Sequence, residues 1–230
     1  MDSIYLNGAY VEKNPSYHVE DSLWKAHQII KMINRHKLQF LSVCEIGCGA
    51  GEVLRQLYLQ LSSEKLFYGY EISPQAYALC KQRENERLQF YCEDLLLNET
   101  KPFDLLLCID VFEHVEDCLG FLRNLRAYGN YKIFHIPLDL SVQTVLRGTP
   151  IAVKRTILGH IHYFTRETAL FTLQDAGYEV VDWFYTPSAS ERGESVRQKI
   201  GKWPRRILSL VSADLTARIL GGYSMLVLAR

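Results

Sequence analysis

The chain has 230 residues, of which 48% are hydrophobic and 23% charged, and its formal net charge is zero. That balance is ordinary for a soluble globular protein, and the length suits one large domain or a domain with insertions. Bulk charge therefore gives no argument for nucleic acid or an anionic surface as a partner. The opening "MDSIYLNGAY" lacks the basic start and apolar centre of a signal peptide, and no apolar run is long enough to span a bilayer. The six cysteines, Cys44, Cys48, Cys80, Cys92, Cys108 and Cys118, form no CxxC pair. Buried reduced thiols in a cytoplasmic protein are expected, rather than disulfides or zinc.

The first predicted element is an amphipathic helix over about Glu20 to His36, opened by the capping-type "EDSLW" and carrying Leu23, Ile30 and Ile33. "SVCEI" then reads as a buried strand. "EVLRQLYLQL" follows as a helix with Val53, Leu54, Leu57 and Leu61 at helical spacing. Gly47, Gly49 and Gly51 fall on the turn between them. Glycine there permits unusual dihedrals and lets a ligand approach the main chain, while the free N–H groups of a helix start favour a negative or polar group. A glycine-rich connector with no ligand remains the alternative reading of these residues alone.

Strands and helices then alternate. "LFYGYEI", "LQFYCED", "FDLLLCID" and "YKIFHIPL" read as strands, with helices at "SPQAYALCKQ" and "VEDCLGFLRNLRAYG". The helix "RETALFTLQDAG", closed by Gly177 as a C-cap, precedes the last two strands, "YEVVDWFY" and "YSMLVLAR". This alternation implies a parallel sheet with helices on both faces and ligands beyond the carboxyl ends of the strands. Strand six is expected to run parallel to strands one to five.

The polar residues with a task should then end the strands. The second strand ends in Glu71, the third in Glu93 and Asp94, and the fourth in Asp110. Any one of them could be a solvated carboxylate or a helix N-cap; in succession they mark a ligand edge. Glu71 can accept hydrogen bonds from both hydroxyls of a ribose, and Asp94 from an exocyclic amine such as that of adenine. The glycines run Gly47-x-Gly49-x-Gly51, with Glu52 where a dinucleotide fingerprint has its third glycine. Glu45 beside a pyrophosphate would be unfavourable, whereas a cationic ligand would welcome it. S-adenosylmethionine carries an adenosine, an ammonium and a sulfonium, and no phosphate. It fits better than NAD, which argues against an oxidoreductase.

At this point a resemblance is visible. "CEIGCGAGEVL", the Glu71 of "YGYEIS", "CEDLLL" and "FDLLLCIDVFEHVED" resemble the successive motifs of class I S-adenosylmethionine-dependent methyltransferases, from about Phe40 to Gly177 and in the final hairpin. "DVFEHVED" and "GHIHYFTRETALFTLQDAGYEV" are similar to bacterial small-molecule methyltransferases of the ubiquinone-biosynthesis type. The resemblance implies an α/β fold with a doubly wound, mostly parallel seven-stranded sheet, Rossmann-like, with an antiparallel last strand. An N-terminal helix and two substrate-side insertions complete it. It implies one methyltransferase domain over residues 1–230: a cap segment 1–39, a core 40–185, an insertion 186–222 and the last strand 223–230.

The resemblance also implies roles. Glu45, Gly47, Cys48, Gly49 and Gly51 would hold the methionine portion of the cofactor, and Glu71, followed by Ile72, its ribose. Asp94 and Leu95 would meet the adenine, while Asp110 and Val111 would line the junction with the substrate. The implied activity is methyl transfer to a small-molecule or carrier-linked metabolite. A non-catalytic cofactor-binding module, acting as sensor or partner subunit, is the second reading.

A hydroxyl acceptor usually needs a base, which makes the histidines discriminating. His160 and His162 of "GHIHYF" are candidates, as is His114 of "FEHVED", whose structural alternative is to shape its loop. His135, inside strand five, reads as packed and hydrogen-bonded. No third ligand is apparent beside the H-x-H pair, so no metal is expected. Two stretches lengthen the minimal pattern: "DLSVQTVLRGTPIAVKRTILGHIHYF" after strand five, and the basic segment from Thr186 to Ser224. The second reads as a substrate lid with Arg197, Lys202, Arg205 and Arg206 for an acidic acceptor, as a peripheral membrane contact, or as a helix packed on the core.

Overall fold

Short, nearly continuous apolar runs build a seven-stranded sheet at the centre of the computed structural model, which describes residues 12, 14, 16, 17, 19–99, 101–187 and 203–230. The strands are β1 (Ser42–Ile46), β2 (Leu66–Tyr70), β3 (Leu88–Tyr91), β4 (Phe103–Ile109), β5 (Gly129–Leu138), β6 (Val180–Pro187) and β7 (Tyr223–Ala229). Their order is β3-β2-β1-β4-β5-β7-β6. β1 to β5 pair in parallel, with Ile46 opposite Tyr70 on one side and Cys108 on the other. β7 runs antiparallel between β5 and β6, which leaves β6 parallel to β5 as expected.

The period of two sends successive side chains to opposite faces. In β4, Leu105, Leu107 and Ile109 join the layer beneath α1 (Ser22–His36) and α2 (Glu52–Gln60), with Ile29, Met32, Leu54 and Leu57. Leu106 and Cys108 join the opposite layer, under α4 (Cys118–Leu125) and α7 (Arg166–Asp175), with Leu122, Leu125, Ala169 and Leu173. Each such large side chain contributes about 1.5–3 kcal/mol by leaving water. α3 (Pro74–Lys81) bridges β2 and β3, begun by Ser73, whose hydroxyl accepts from Ala76 N, and by Pro74.

Several local expectations change in physical detail. Asp21 has helical backbone angles and no side-chain cap bond, so α1 starts from the 3-10 turn Val19–Asp21 rather than from a capping box. β2, β3 and β4 stop before the acids expected to end them, and two of those acids, Glu71 and Asp94, turn back onto loop N–H groups. Glu71 accepts from Ser73 N at 2.8 Å and Asp94 from Leu96 N at 2.9 Å. Gly177 does close α7, at φ 90, with Tyr178 N donating to Leu173 O.

After β5 come α5 (Val142–Arg147), α6 (Thr149–Val153) and a π-helical turn, Lys154–Leu158. The final hairpin carries α8 (Trp203–Val211) and α9 (Ala213–Leu220), and α9 packs on α5. Arg205 donates to Leu220 O at 3.0 Å and to Gln143 Oε1 at 2.9 Å. Asp214 accepts from Arg166, Tyr185 and Arg218, tying α9 to α7 and β6. Arg205, read as a group for an acidic acceptor, and Arg218 of the same basic segment are thus engaged within the protein. Arg192, Arg197, Lys199 and Lys202, and the side chain of Arg206, lie outside the described residues. Among the described residues no helix is long and apolar enough to cross a membrane.

Candidate functional site

From β1 the chain builds the sheet toward β3, and from β4 it builds toward β5, so a crevice opens where the two directions part. A cavity of about 720 Å³ fills it. One end is made by the turn after β1. Gly47, Gly49 and Gly51 all have left-handed backbone angles, with φ of 64, 56 and 73. At Gly49 an added Cβ would meet, among the described residues, only Tyr17 Cδ1, at 3.8 Å, so this glycine presents its backbone to the cavity. At Gly51 a Cβ would come within 2.5 Å of the Phe90 ring, and Gly51 does not line the cavity. Its task is to let the turn pack on β3.

Glu71 latches this turn to β2. Its Oε2 accepts from Gly49 N at 2.9 Å and its Oε1 from Ser73 N. Burial pushes the Glu71 carboxyl up, against the pull of those N–H groups. Glu45, 2% exposed, has an Oε2 with no hydrogen-bond partner among the described residues. Burial pushes its pKa up to about 8; Lys25 opposes the shift, and Glu71 and Asp110 add to it.

Asp110, at φ 55, is the hub of the floor. Lys25 Nζ lies 2.7 Å from its Oδ2, and His135 Nδ1 2.6 Å from its Oδ1. His135 Nε2 continues the chain to Thr186 Oγ1 at 3.0 Å. Burial works against the Asp110 charge, but His135 and Lys25 outweigh it and hold the carboxyl well below its usual range.

The other end of the cavity is made by two loops. The turn Phe112–His114 follows β4, and residues 159–162 follow the π-helical turn. Ile161 N and His162 N both donate to Glu113 O, at 2.9 and 3.0 Å, which fastens one loop to the other. The rings of His114 and His160 meet edge to face with centroids 4.8 Å apart. His160 Nδ1 lies 2.5 Å from Asp139 Oδ2, and Lys154 Nζ 3.0 Å from Asp139 Oδ1. Burial opposes the Asp139 charge, but His160 and Lys154 hold its carboxyl low. The Glu113 side chain is fully buried, and neither carboxylate oxygen has a hydrogen-bond partner among the described residues. Burial, with Asp110 nearby, pushes that carboxyl well above the usual range. Burial and then His160 push His114 down to about 4.

Of the site residues expected from sequence, Glu45, Gly47, Cys48, Gly49, Glu71, Ile72, Asp110, Val111, His114 and His160 line this one cavity. Gly51, Asp94, Leu95 and His162 do not. Asp94 caps a 3-10 turn, Leu95 is fully buried in the core, and His162 Nε2 donates to Val115 O at 2.8 Å. The connection after β5 lines the cavity with Lys154, Arg155, Leu158, Gly159 and Ile161. From the described part of 186–222 only Pro187 reaches it.

Tyr17, Trp24, Lys25, Glu113 and Asp139 were not foreseen. Lys25 had a signal: it lies on the same stripe of α1 as buried Ser22, Ala26 and Ile29. A lysine on an apolar stripe asks for a buried anion. Glu113 and Asp139 carried none, because their partners come from loops distant in sequence.

Residues 22–182 match the family model described as a methyltransferase domain. No curated protein matches the chain in sequence. Among solved structures, magnesium protoporphyrin IX methyltransferase from Synechocystis PCC 6803, with bound S-adenosylhomocysteine, is similar at 18% identity and a TM-score of 0.59, over 90% of this chain and 82% of that one. An N-methyltransferase from Bradyrhizobium japonicum WM9, also in complex with S-adenosylhomocysteine, is 16% identical, covering 94% and 88% with a TM-score of 0.59. A cyclopropane synthase from Mycobacterium tuberculosis is 15% identical, covering 88% and 84%, again at 0.59. At these identities the likeness concerns the fold.

Proposed function

The chain belongs to the methyltransferase-domain family, and from that premise we propose that it transfers a methyl group from S-adenosylmethionine to a small-molecule acceptor. The observation that carries this reading is the meeting, in one cavity, of a left-handed glycine turn with the buried carboxyls of Glu45 and Glu71. Carboxyls beside bare backbone favour a ligand with an ammonium group and a diol over one with phosphates. Two of the similar structures hold S-adenosylhomocysteine, which supports the same choice.

In this reading Glu45, Gly47, Cys48 and Gly49 take the methionine portion, Glu71 and Ile72 the ribose, and Asp110 and Val111 the junction. The bound cofactor supplies an activated methyl on its sulfonium. The protein's part is to hold the acceptor in line and exclude water. His114 and His160 face the acceptor, Asp139 orients His160, and His162 secures the loop that carries it.

The finer reading is an acidic or carrier-linked acceptor, with peripheral membrane contact through the final insertion. Arg155 and Lys154 in the cavity lining support the first part. Ile207, Leu210 and Val211, exposed on α8, support the second. Six free cysteines support a cytoplasmic setting.

Titration calorimetry with S-adenosylmethionine and S-adenosylhomocysteine tests the cofactor, and a metabolite screen for released S-adenosylhomocysteine tests turnover. Tight binding of NAD in their place would overturn the reading. Cofactor binding without turnover on any acceptor class would favour a sensor or partner subunit.

A further inference from the structure

Glu113 is 0% exposed, and neither of its carboxylate oxygens meets a hydrogen-bond donor among the described residues. Leaving such a group unmatched is destabilising, and more so when it is charged. The two neighbouring carboxylates are already matched, Asp110 by Lys25 and His135, and Asp139 by Lys154 and His160. Glu113 instead stands beside two imidazoles. One ligand atom from each of Glu113, His114 and His160 lies within 4.8 Å of the other two, and all three residues line the cavity.

We propose that Glu113, His114 and His160 bind one divalent transition-metal ion, and that this ion holds a hydroxyl oxygen of the methyl acceptor. The inference rests on the methyltransferase reading for its acceptor, but the metal site stands on these residues alone.

Three features support it. Asp139 holds His160 Nδ1 at 2.5 Å, the carboxylate–histidine arrangement that fixes a ligand imidazole and leaves Nε2 to coordinate. The two loops that carry the ligands are joined through Glu113 O, so the set is preorganised rather than gathered from separate mobile segments. Two imidazoles and one carboxylate are the donors suited to zinc, cobalt, iron or manganese, whereas calcium and magnesium prefer oxygen alone. Bonds of about 2.0–2.2 Å require the three side chains to draw in around the ion. Three protein ligands leave positions open for an acceptor oxygen and water.

The chemistry balances without a protein base. A hydroxyl bound to the ion loses its proton to water, since coordination lowers its pKa. The resulting oxyanion forms the new O–CH3 bond as the S–CH3 bond breaks. The bonding pair returns to sulfur, which passes from sulfonium to neutral thioether. This selects oxygen as the acceptor atom.

The test uses the full chain after dialysis against a chelator. Zn²⁺ and Co²⁺ are titrated by calorimetry, the Co²⁺ complex is followed by visible absorption, and S-adenosylhomocysteine is titrated in parallel. One ion per chain is expected, with Mg²⁺ failing to compete. Glu113→Gln and His160→Gln should each weaken metal binding at least about 100-fold, and the positioning change Asp139→Asn about 10–100-fold. Cofactor affinity should stay within about threefold in all three. Glu113→Gln removes an unmatched buried carboxyl, so this variant is expected to keep or raise its melting temperature. Intact cofactor binding with no saturable metal binding overturns the metal site and leaves the methyltransferase reading standing. A thiolate band in the Co²⁺ spectrum, or equal metal affinity in wild type and Glu113→Gln, also overturns it. Loss of cofactor binding by the wild type counts against the methyltransferase reading instead.

Discussion

The two ends of the cavity were assembled by different rules. The end proposed for the cofactor is written in short contiguous stretches: a strand, three alternate glycines, a helix, and an acid just past each neighbouring strand. The end proposed for the acceptor joins residues 113–114 to residues 139 and 160 through hydrogen bonds between loops. Parallel strands force their carboxyl ends to one edge, so the first arrangement follows from periodicity alone. Nothing in the spacing of the second requires its parts to meet.

The sharpest way to break this comparison is within the glycine turn. Gly51→Ala puts a Cβ into the Phe90 ring at a left-handed position, and should cost about 3 kcal/mol of stability in urea unfolding. Gly49→Ala meets nothing closer than 3.8 Å among the described residues. It should cost only about 1–2 kcal/mol while impairing cofactor binding. Equal stability losses would show that Gly49 is as structural as Gly51.

Glu71→Ala should weaken S-adenosylmethionine binding by about 1.5–3 kcal/mol, since it removes a charged acceptor and unlatches Gly49 N. Unchanged affinity in calorimetry, with the variant folded, would remove the ribose assignment.

A smaller effect follows from Glu45, whose pKa is raised to about 8. Raised above its unfolded value, this carboxyl contributes stability that is full below about pH 4.5 and lost as pH rises through about 8. An ammonium group placed beside it would favour the ionised form, so cofactor binding near pH 6.5 should release a proton. Affinity should then rise by up to about tenfold per pH unit, up to about pH 7.7 where the ligand's own amine begins to deprotonate. Calorimetry in buffers of different ionisation enthalpy measures the proton, and Glu45→Gln should abolish it.

The smallest expected effect separates the two histidines of "GHIHYF". His162→Gln loses one bond to Val115 O, about 1 kcal/mol of stability, and should keep turnover. His160→Gln should lose turnover at similar stability. The reverse outcome in a product-release assay would exchange their assignments.

What the sequence made legible follows the same division. All seven strands, α1 to α4 and α7 were readable, because short apolar runs and the 3.6-residue period register burial directly, whereas α5 and α6 were read only as a lengthened connection. Glu71 and Asp110 were readable because parallel strands end together. Asp94 shows the limit: an acid at a strand end looks alike whether it meets a ligand or, as here, caps the next turn. Charge drew attention to 186–222, where in the described part Arg205 and Arg218 make internal contacts, while the connection after β5, which carried less charge, lines the cavity with Lys154, Arg155 and Leu158. Glu113 was hidden, since only the folded chain shows that no donor among the described residues reaches it.

The place of β7 also governs when the protein can be finished. During synthesis the chain folds from its N-terminal side, and strands pair as they emerge. β6 has β7 as its neighbour in the sheet, and β7 is made last of all seven. A nascent chain halted at residue 222 could therefore pair β1 to β5 but would leave β6 without a partner and β5 as an exposed edge. Thr186, which anchors His135, and Ser224, which lines the cavity, would be out of place or not yet made. The crevice is thus begun by the earliest strand and completed by the latest, so ligand binding should appear only after the ribosome has passed β7.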